Sequence, residues 1–399
     1  MAIPRFARLH PTVILMATAH LVVDGYGNIL APLLPVLIPR LDLTLATAGT
    51  LTMLFQMAAS VSQVGFGHLA DRWRPRALVM VGPVVAVTFL SLVGLADSFA
   101  MLAAFLIVGG LGCAAFHPPA AALAHRLGGD RPGFAMSVHI TGGTLGFSFG
   151  PLLFAPFVQR FGIEWTPILA LPGLVAIAFF LMRVPPIEAH AASSGGLGAL
   201  RPYAKPLGLL YLIVVLRTLT SLAFATFVPV MLTRRGLSVG EAGAAVALYL
   251  FGSGIGGFLG GPLADRYGAK RVIALSLVAA TPFMFAAPFL TGWAFPVILA
   301  IGGFFLQSTL PVNVTYGQVL APVSAATVSS LMMGFAWGMG GLSVPLVGFI
   351  ADRVGIENTL VGLSVMPLVA AACAIPLPSR ATVPASSRPA DVIVPEAER

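Results

Sequence analysis

Twelve apolar runs, each long enough to cross a lipid bilayer as a helix, occupy most of this 399-residue chain. A spanning helix needs about 20 apolar residues. Only 9% of the residues are charged and the mean hydropathy is +0.95, whereas a soluble domain carries about 25% charged residues. The sequence therefore predicts an all-α polytopic membrane protein with twelve transmembrane helices. The runs cover residues 12–38, 45–70, 76–96, 99–125, 134–159, 165–183, 207–232, 240–264, 271–290, 294–320, 325–350 and 356–378.

Charge pattern and residue content exclude several other classes. The net charge of +8 is scattered in short groups between the apolar runs, unlike the basic stripe of a nucleic-acid-binding face. Cys113 and Cys373 are interpreted as small core residues. Neither Lys205 nor Lys270 lies in a G-x-x-x-x-G-K-[ST] loop, so no nucleotide site is expected. The runs show no paired carboxylates, metal-ligand spacing or nucleophile-and-base set, and we expect no catalytic residue, metal or cofactor.

Arginine and lysine are unevenly distributed between the runs. With the N-terminus inside, sixteen of the 22 lie in cytoplasmic segments, five in outer loops and one, Arg217, within a run. The positive-inside rule then predicts that both termini are cytoplasmic. A cleaved signal peptide is the alternative interpretation of the N-terminus, but its apolar run continues past "ATA" for a full span. We expect a monomeric, multi-pass protein of the bacterial inner membrane.

The two halves of the chain repeat at an offset of 194 residues. That offset places GHLADRW at 67 on GPLADRY at 261, and LPVLIPRLDLTLATAG at 34 on VPVMLTRRGLSVGEAG at 228. Parallel repeats of this kind are known in secondary transporters, where the substrate site lies between the halves. We predict one six-helix bundle over residues 1–183, a cytoplasmic linker over 184–206, a second bundle over 207–378 and a disordered cytoplasmic tail over 379–399.

The repeated loop segments carry a family resemblance. GHLADRW and GPLADRY resemble the Gly-x-Leu-Ala-Asp-Arg-x-Gly-Arg signature of the major facilitator superfamily, although Trp73-Arg74-Pro75-Arg76 replaces its usual ending in the first copy. AAFHPPAAALAHRL, GFAMSVHITGGTLGFSFGPLL and the early HLVVD resemble the fosmidomycin-resistance branch. The resemblance implies the two-bundle major facilitator fold and export of a small phosphonate antibiotic or a related compound. Many members of the branch have no assigned substrate.

The signature loops imply gate residues at two helix ends. A carboxylate there can accept hydrogen bonds from a neighbouring helix N-terminus or pair with loop arginines in one conformation and not in the other. A plain topology anchor is the alternative interpretation of the same loops. The candidate gate residues are Gly67, Asp71, Arg72, Gly261, Asp265 and Arg266.

Glycines at every fourth position mark two of the runs. Such faces let helix backbones approach closely. The pattern in the fifth run also resembles a motif of proton-coupled exporters in the superfamily, but Phe154-Ala155 replaces its trailing glycine pair. Leu106 occupies the position where many of these exporters carry an arginine linked to proton movement. The candidate packing residues are Gly142, Gly146, Gly150 and Pro151 in the fifth run and Gly252, Gly256 and Gly260 in the eighth.

Asp24 is the only acidic residue deep within any run. Its position in the first run places it about 18 Å into the membrane, near the midplane. A charged residue there costs about 3 kcal/mol or more, and such residues usually face a cavity or a partner. We predict that Asp24 couples transport to protons, with His20 one helical turn earlier as its relay.

Arg217 lies at nearly the same depth in the seventh run, one position from the residue that the offset aligns with Asp24. Its permanent charge and forked donors suit phosphate or carboxylate. We predict that Arg217 binds an anionic substrate and pairs with Asp24 at rest; a static buried ion pair is the alternative. Further candidates for the substrate cavity are Tyr26, Asn28, His117, His139, Gln307, Asn313 and Tyr316, with ordinary packing of the histidines equally open.

These features together predict a secondary active transporter that uses alternating access, most simply as a proton-coupled exporter of a drug-like or small anionic compound. An importer or facilitator of a small organic anion is the alternative. A membrane receptor or enzyme is a more remote alternative. A receptor would not need a two-half repeat with matched gate loops, and the runs show no set of catalytic residues that an enzyme would need. The expected partners are a small-molecule substrate, protons and the lipid bilayer.

Overall fold

The fold is helical in all five ranges that the structure describes. The structure is a computed structural model that describes residues 10–72, 75–128, 132–184, 197–321 and 325–378. Within these ranges it contains no strand, and twelve helical segments are long and apolar enough to cross a membrane. The predicted all-α fold with twelve spans is therefore confirmed. We number the spans α1 to α12: Pro11–Arg40, Leu45–Ala70, Pro75–Leu95, Phe99–Leu127, Phe134–Phe161, Ile163–Leu181, Leu200–Arg234, Val239–Tyr267, Ala269–Phe289, Ala294–Leu320, Thr327–Val354 and Ile356–Ala374.

The spans begin and end within a few residues of the predicted bounds, with one larger difference at α7. The apolar run predicts a start at residue 207, but α7 begins at Leu200. A 3₁₀ segment, Leu197–Tyr203, leads directly into the α-helix Ala204–Arg234. Arg201 and Lys205 make this first turn polar, so a hydropathy pattern does not include it.

Several spans are interrupted near their middle. The helix Pro11–Gly27 of α1 ends at Asn28, and Leu30–Arg40 completes the span. The Asn28 backbone N–H donates to the Asp24 carbonyl (3.1 Å), and its side-chain Nδ2 donates to the Phe147 carbonyl of α5 (2.9 Å). The Asn28 amide thus ties the interruption in α1 to the neighbouring helix α5.

Two π-helical turns lie where α2 meets α11. They span Met57–Val61 and Leu331–Phe335, and they contact one another. π-turns are rare and are frequent at functional sites. The contact between α2 and α11, which joins the two halves of the sequence, is therefore a candidate functional region.

The two faces of the molecule can be defined from the order of the spans. The termini face carries residues 10 and 378, and the distal face carries the loop between α1 and α2 at residues 41–44. At the distal face α2 packs on α11 and α5 packs on α8, so helices from the two sequence halves meet there.

Asp352, at the distal end of α11, holds the beginning of α2. Its Oδ1 accepts from the backbone N–H of Leu45 (2.9 Å) and its Oδ2 from that of Ala46 (3.0 Å). The first N–H groups of a helix have no partner within the helix and carry partial positive charge, so a carboxylate stabilises them. Gly49 permits this close approach, because a Cβ there would lie 2.8 Å from the Val344 carbonyl oxygen.

A matching contact joins α5 to α8 on the same face. Gln159 Oε1 accepts from the backbone N–H of Gly240 (2.7 Å). Gly240 lies 194 residues after Ala46, so the two donors obey the repeat offset, and Gln159 lies one position from the residue that the offset aligns with Asp352. Gly243, the repeat partner of Gly49, likewise approaches the Pro151 carbonyl, to which its Cβ would lie 3.0 Å away. The distal closure is symmetric in position but uses a carboxylate on one side and a neutral amide on the other.

The ends of α2 and α8 at the termini face are freer. A Cβ at Gly65 or Gly261 would meet no atom within 4 Å, and Tyr267 is 51% exposed. Among the described residues, the halves therefore meet closely at the distal face and leave these helix ends uncovered at the termini face.

The predicted division into two bundles stays a prediction. Most of the linker over 184–206 and the tail over 379–399 lie outside the described residues. Residues 1–9, which begin the predicted cytoplasmic N-terminus, lie outside them as well.

Candidate functional site

Asp24 lies at the centre of a buried cluster of ionisable side chains. Its Oδ2 is 3.1 Å from His20 Nε2, one turn earlier on α1, and its Oδ1 is 3.0 Å from His117 Nε2 on α4. Asp24 is 6% exposed and His20 is 8% exposed. We call these three residues the Asp24 triad. The structure thus gives Asp24 two polar partners, which offset the cost of a carboxylate at membrane depth.

Backbone carbonyls fix the orientation of both histidine rings. His117 Nδ1 lies 2.7 Å from the Cys113 carbonyl oxygen on the preceding turn of α4. His20 Nδ1 lies 2.9 Å from the carbonyl oxygen of His139 on α5. Each ring therefore bridges a main-chain acceptor and the Asp24 carboxylate, and three helices contribute to the arrangement.

His139 and Gly143 border the triad from α5. The His139 ring stacks on that of His20, with centroids 4.4 Å apart. A Cβ at Gly143 would lie 2.5 Å from His20 Nε2 and 2.6 Å from Asp24 Oδ2. Glycine at position 143 leaves the space that the triad occupies. Sequence reasoning singled out its neighbour Gly142 and missed Gly143.

The triad brings together three side chains that are all common metal ligands, a grouping that the sequence analysis did not identify. His20, Asp24 and His117 each offer a ligand atom, and these atoms lie within 4.8 Å of one another. Ligand spacing along the sequence could not show this, because His117 comes from another helix, 93 residues after Asp24.

Arg217 forms a second buried polar centre, on α7. Its side chain is 0% exposed. Nη1 donates to Gln307 Oε1 of α10, Nη2 donates to Thr218 Oγ1 (3.0 Å), and the guanidinium lies 5.6 Å from the Trp337 ring centroid. Its Nε is buried without a hydrogen-bond partner. All of these partners are neutral, so the cation is held without a counter-ion among the described residues.

The predicted resting pair between Asp24 and Arg217 is not formed in this structure. Both Asp24 oxygens face histidines, and the described ion pairs do not include Arg217. The repeat offset placed the two charges at similar depth, but it could not show that two histidines would meet the carboxylate first. The charges occupy two separate centres.

The remaining cavity candidates are spread over several places. The Tyr26 hydroxyl donates to the Leu169 carbonyl, which places Tyr26 in the packing between α1 and α6. Tyr316 donates to the Pro378 carbonyl near the termini face. Gln307 belongs to the Arg217 centre, where its Nε2 also lies 3.4 Å from Ser221 Oγ. Asn313 is 1% exposed, and neither of its amide atoms has a hydrogen-bond partner among the residues that the structure describes.

The glycine faces lie in tight helix contacts. Those of α5 (Gly142, Gly146 and Gly150) pack on the α1 backbone at Ala17, Leu21 and Gly25, and those of α8 (Gly252, Gly256 and Gly260) pack on the α10 backbone at Ala300, Phe304 and Ser308. Side chains at these positions would collide with main-chain atoms. The α5 contact also brings His139 against His20.

The gate candidates are only partly visible. The structure does not describe the side chains of Asp71 and Arg72. Within the described part of the chain, a Cβ at Gly67 would meet only Pro118 of α4. Asp265 and Arg266 are exposed, and the Arg266 guanidinium lies over the Tyr267 ring at 5.3 Å.

The sequence contains a third copy of the loop motif, which was not predicted. GFIADRVG at 348–355 repeats the pattern of GHLADRW and GPLADRY, and its carboxylate is Asp352 of the distal contact. The motif can be recognised in the sequence, but the 194-residue offset relates only the copies at 67 and 261.

Comparison with known proteins decides the family. The model of the Major Facilitator Superfamily matches residues 16–214 and 209–395. The chain belongs to the major facilitator superfamily. It is 30% identical to the fosmidomycin resistance protein of Escherichia coli (strain K12) over 89% of each chain. It is also 30% identical to a chloramphenicol resistance protein of Streptomyces lividans, over 94% of this chain and 98% of that one.

Solved structures agree on the fold. A bacterial homolog of the human lysosomal transporter Spinster, in an inward-facing and occupied conformation, aligns with a TM-score of 0.75 at 17% identity, over 95% of this chain and 98% of that one. The nucleoside transporter NupG aligns with a TM-score of 0.74 at 15% identity, over 92% and 98%. The chain is thus a multi-pass membrane transporter of small molecules, not an enzyme, and the predicted resemblance to the fosmidomycin-resistance branch is confirmed.

Proposed function

We propose that this protein is a proton-coupled exporter of a small anionic, drug-like compound in the bacterial inner membrane, working as a monomer by alternating access. Fosmidomycin, the compound in the name of one relative, is the substrate that we test first. Import or facilitated passage of a small organic anion is the alternative.

The Arg217 centre is the observation that carries this proposal. A buried charge without a counter-ion is costly, and in membrane proteins such groups commonly mark a substrate or ion pathway. Arg217 is held by the neutral side chains of Gln307 and Thr218, and its Nε has no partner. An anionic substrate would supply the missing negative charge and accept from the planar donor fork.

The Asp24 triad supports coupling to protons. It joins a carboxylate to two imidazoles, the side chains best suited to take up and release protons at physiological pH. The triad lies on α1 and α4 and contacts the His139 carbonyl of α5, whereas Arg217 and its partners lie on α7, α10 and α11. Proton and anion would therefore act on separate halves, and movement of the halves would link them.

The distal contacts support alternating access. A transporter of this kind must close one face while the other is free, and then reverse. Asp352 and Gln159 close the distal face through hydrogen bonds to helix N-termini, which can break without a covalent change. With the predicted orientation, the distal face is the outer one, so this conformation would be closed towards the outside.

Export is favoured over import by the names of two relatives, which are resistance proteins. Resistance fits removal of a toxic compound from the cell, while import of that compound would raise sensitivity.

The test compares an anionic and a neutral compound in proteoliposomes. Fosmidomycin is a phosphonate and chloramphenicol is neutral. Arg217→Gln removes the charge but keeps an amide; because charge-assisted hydrogen bonds contribute about 1.5–3 kcal/mol, we expect fosmidomycin transport to fall roughly 10- to 100-fold. Chloramphenicol transport, where the wild type supports it, should change less than about twofold, since no such bond is lost.

Arg234→Gln is the matched control, because Arg234 is an exposed arginine at the distal end of the same helix. It should leave both activities unchanged. Equal losses for both compounds in Arg217→Gln would show a structural role, and a wild type that does not transport fosmidomycin would contradict the phosphonate assignment.

A further inference from the structure

The hydrogen-bond partners of the Asp24 triad determine which nitrogen of each histidine ring carries hydrogen. A carbonyl oxygen accepts hydrogen bonds but cannot donate one. His117 Nδ1 faces the Cys113 carbonyl and His20 Nδ1 faces the His139 carbonyl, at 2.7 and 2.9 Å. Both Nδ1 atoms must therefore carry the ring hydrogen.

The opposite nitrogen of each ring then faces the wrong kind of partner. In a neutral imidazole with hydrogen on Nδ1, Nε2 presents a lone pair. Both Nε2 atoms lie 3.0–3.1 Å from oxygens of Asp24, and an ionised carboxylate also only accepts. A cation between these atoms, either protons or one metal ion, would satisfy both the lone pairs and the carboxylate.

The triad has the ligand types of a metal site. Two histidines and one carboxylate form the facial triad that binds divalent first-row metals with open coordination positions. Metal-binding histidines almost always donate their other ring N–H to a carbonyl or carboxylate, as both rings do here. Metal–ligand bonds of 2.0–2.1 Å imply ligand atoms roughly 3.0–3.4 Å apart. Each Nε2 lies at that distance from one carboxylate oxygen. The three ligand atoms lie within 4.8 Å of one another, so the rings would move slightly towards a shared ion.

The charge balance is the same for both occupants. Two protonated imidazoles and one carboxylate sum to +1, and a divalent cation with two neutral imidazoles and one carboxylate also sums to +1. His139 is the other titratable side chain packed on the triad, from α5, and Cys113 contributes its carbonyl from α4. The surroundings that tolerate one occupant electrostatically therefore tolerate the other.

We propose that His20, Asp24 and His117 form a binding site for one divalent first-row transition-metal ion, such as Zn²⁺, Co²⁺ or Ni²⁺, bound in exchange for protons. Nε2 of each histidine and the carboxylate of Asp24 are the ligands, and the Nδ1–H bonds to carbonyls hold the rings in the required orientation. His117, whose side chain is 21% exposed, is the most exposed of the three ligands.

Co²⁺ titration of the full-length, untagged protein in detergent tests this site, because bound Co²⁺ absorbs visible light according to its ligands. We expect saturable binding of one Co²⁺ per chain, displaced by Zn²⁺ and not by a large excess of Mg²⁺, which prefers oxygen ligands. Binding should release protons, seen as a binding heat that depends on the ionisation enthalpy of the buffer.

Three variants separate this site from incidental binding. Asp24→Asn and His117→Gln should each weaken Co²⁺ binding at least tenfold, in line with the loss of a metal ligand or its support. His125→Ala is the matched control, since His125 is exposed near the end of α4, and it should bind like the wild type. Unchanged thermal unfolding without metal shows that each variant is folded.

Absence of saturable binding, or equal binding by Asp24→Asn and the wild type, would overturn the proposal. Neither result would affect the Arg217 assignment, because metal binding is measured without substrate. Conversely, failure of fosmidomycin transport would leave the metal site unaffected.

Discussion

Replacing Asp352 by alanine should loosen the distal closure. The side chain accepts two hydrogen bonds, from the Leu45 and Ala46 N–H groups, at 2.9 and 3.0 Å. A charge-assisted hydrogen bond contributes about 1.5–3 kcal/mol when buried. Asp352 is exposed, so screening by solvent reduces each bond to about 1 kcal/mol. The loss is then about 2 kcal/mol, or a shift of roughly 30-fold in the equilibrium between distal-closed and distal-open states.

Distances between spin labels on the distal face measure this shift. Labels replace Trp165 at the beginning of α6 and Trp293 in the α9–α10 loop, which are 52% and 80% exposed. The background variant has serine at Cys113 and Cys373. We expect Asp352→Ala to move a substantial part of the distance distribution to longer values, while the background variant stays mainly at the short distance.

Gln159→Ala is the internal comparison, because Gln159 makes the repeat-related contact through one neutral hydrogen bond. A bond of that kind contributes about 1 kcal/mol, so the shift should be roughly fivefold. An Asp352→Ala distribution identical to that of the background, or a larger effect from Gln159→Ala, would refute the role assigned to the carboxylate.

Two further predictions concern packing and topology. Gly143→Ala should lower the free energy of unfolding by about 1–3 kcal/mol, because its Cβ would overlap His20 and Asp24. Thermal unfolding in detergent measures this change. Gly208→Ala is the control and should not destabilise the protein, because a Cβ there meets no described atom within 4 Å. Equal effects at the two positions would contradict the tight fit of the triad. The arginine distribution predicts a cytoplasmic tail. A fluorescent protein fused after residue 399 should therefore fluoresce, and alkaline phosphatase fused there should be inactive. An active phosphatase would show the opposite orientation.

The fold could be predicted closely from the sequence because hydropathy and the 194-residue offset are properties of the chain alone. Span length is set by bilayer thickness, so eleven of the twelve starts lie within two residues of the apolar runs. The start of α7 differed because a polar first turn, with Arg201 and Lys205, continues the helix beyond its apolar part.

The site was predicted in part. Asp24 and Arg217 stood out because charges are rare at membrane depth, and His20 followed from helical spacing. Spacing within one helix does not determine how α1, α4 and α7 pack. It therefore could not show that His117 reaches Asp24, or that Asp24 and Arg217 are not paired. Asp352 differs from both cases: its motif was readable in the sequence, but its contact with α2 crosses 307 residues.

The most direct test of the account is fosmidomycin accumulation in proteoliposomes under imposed pH gradients. Proton-coupled export predicts accumulation only when the interior is acidic, abolished by an ionophore that collapses the gradient. Asp24→Asn should lose this accumulation while still exchanging labelled for unlabelled fosmidomycin, because exchange needs the Arg217 centre and no net proton movement. Accumulation driven by an acidic exterior, or undiminished accumulation in Asp24→Asn, would contradict proton-coupled export through the Asp24 triad.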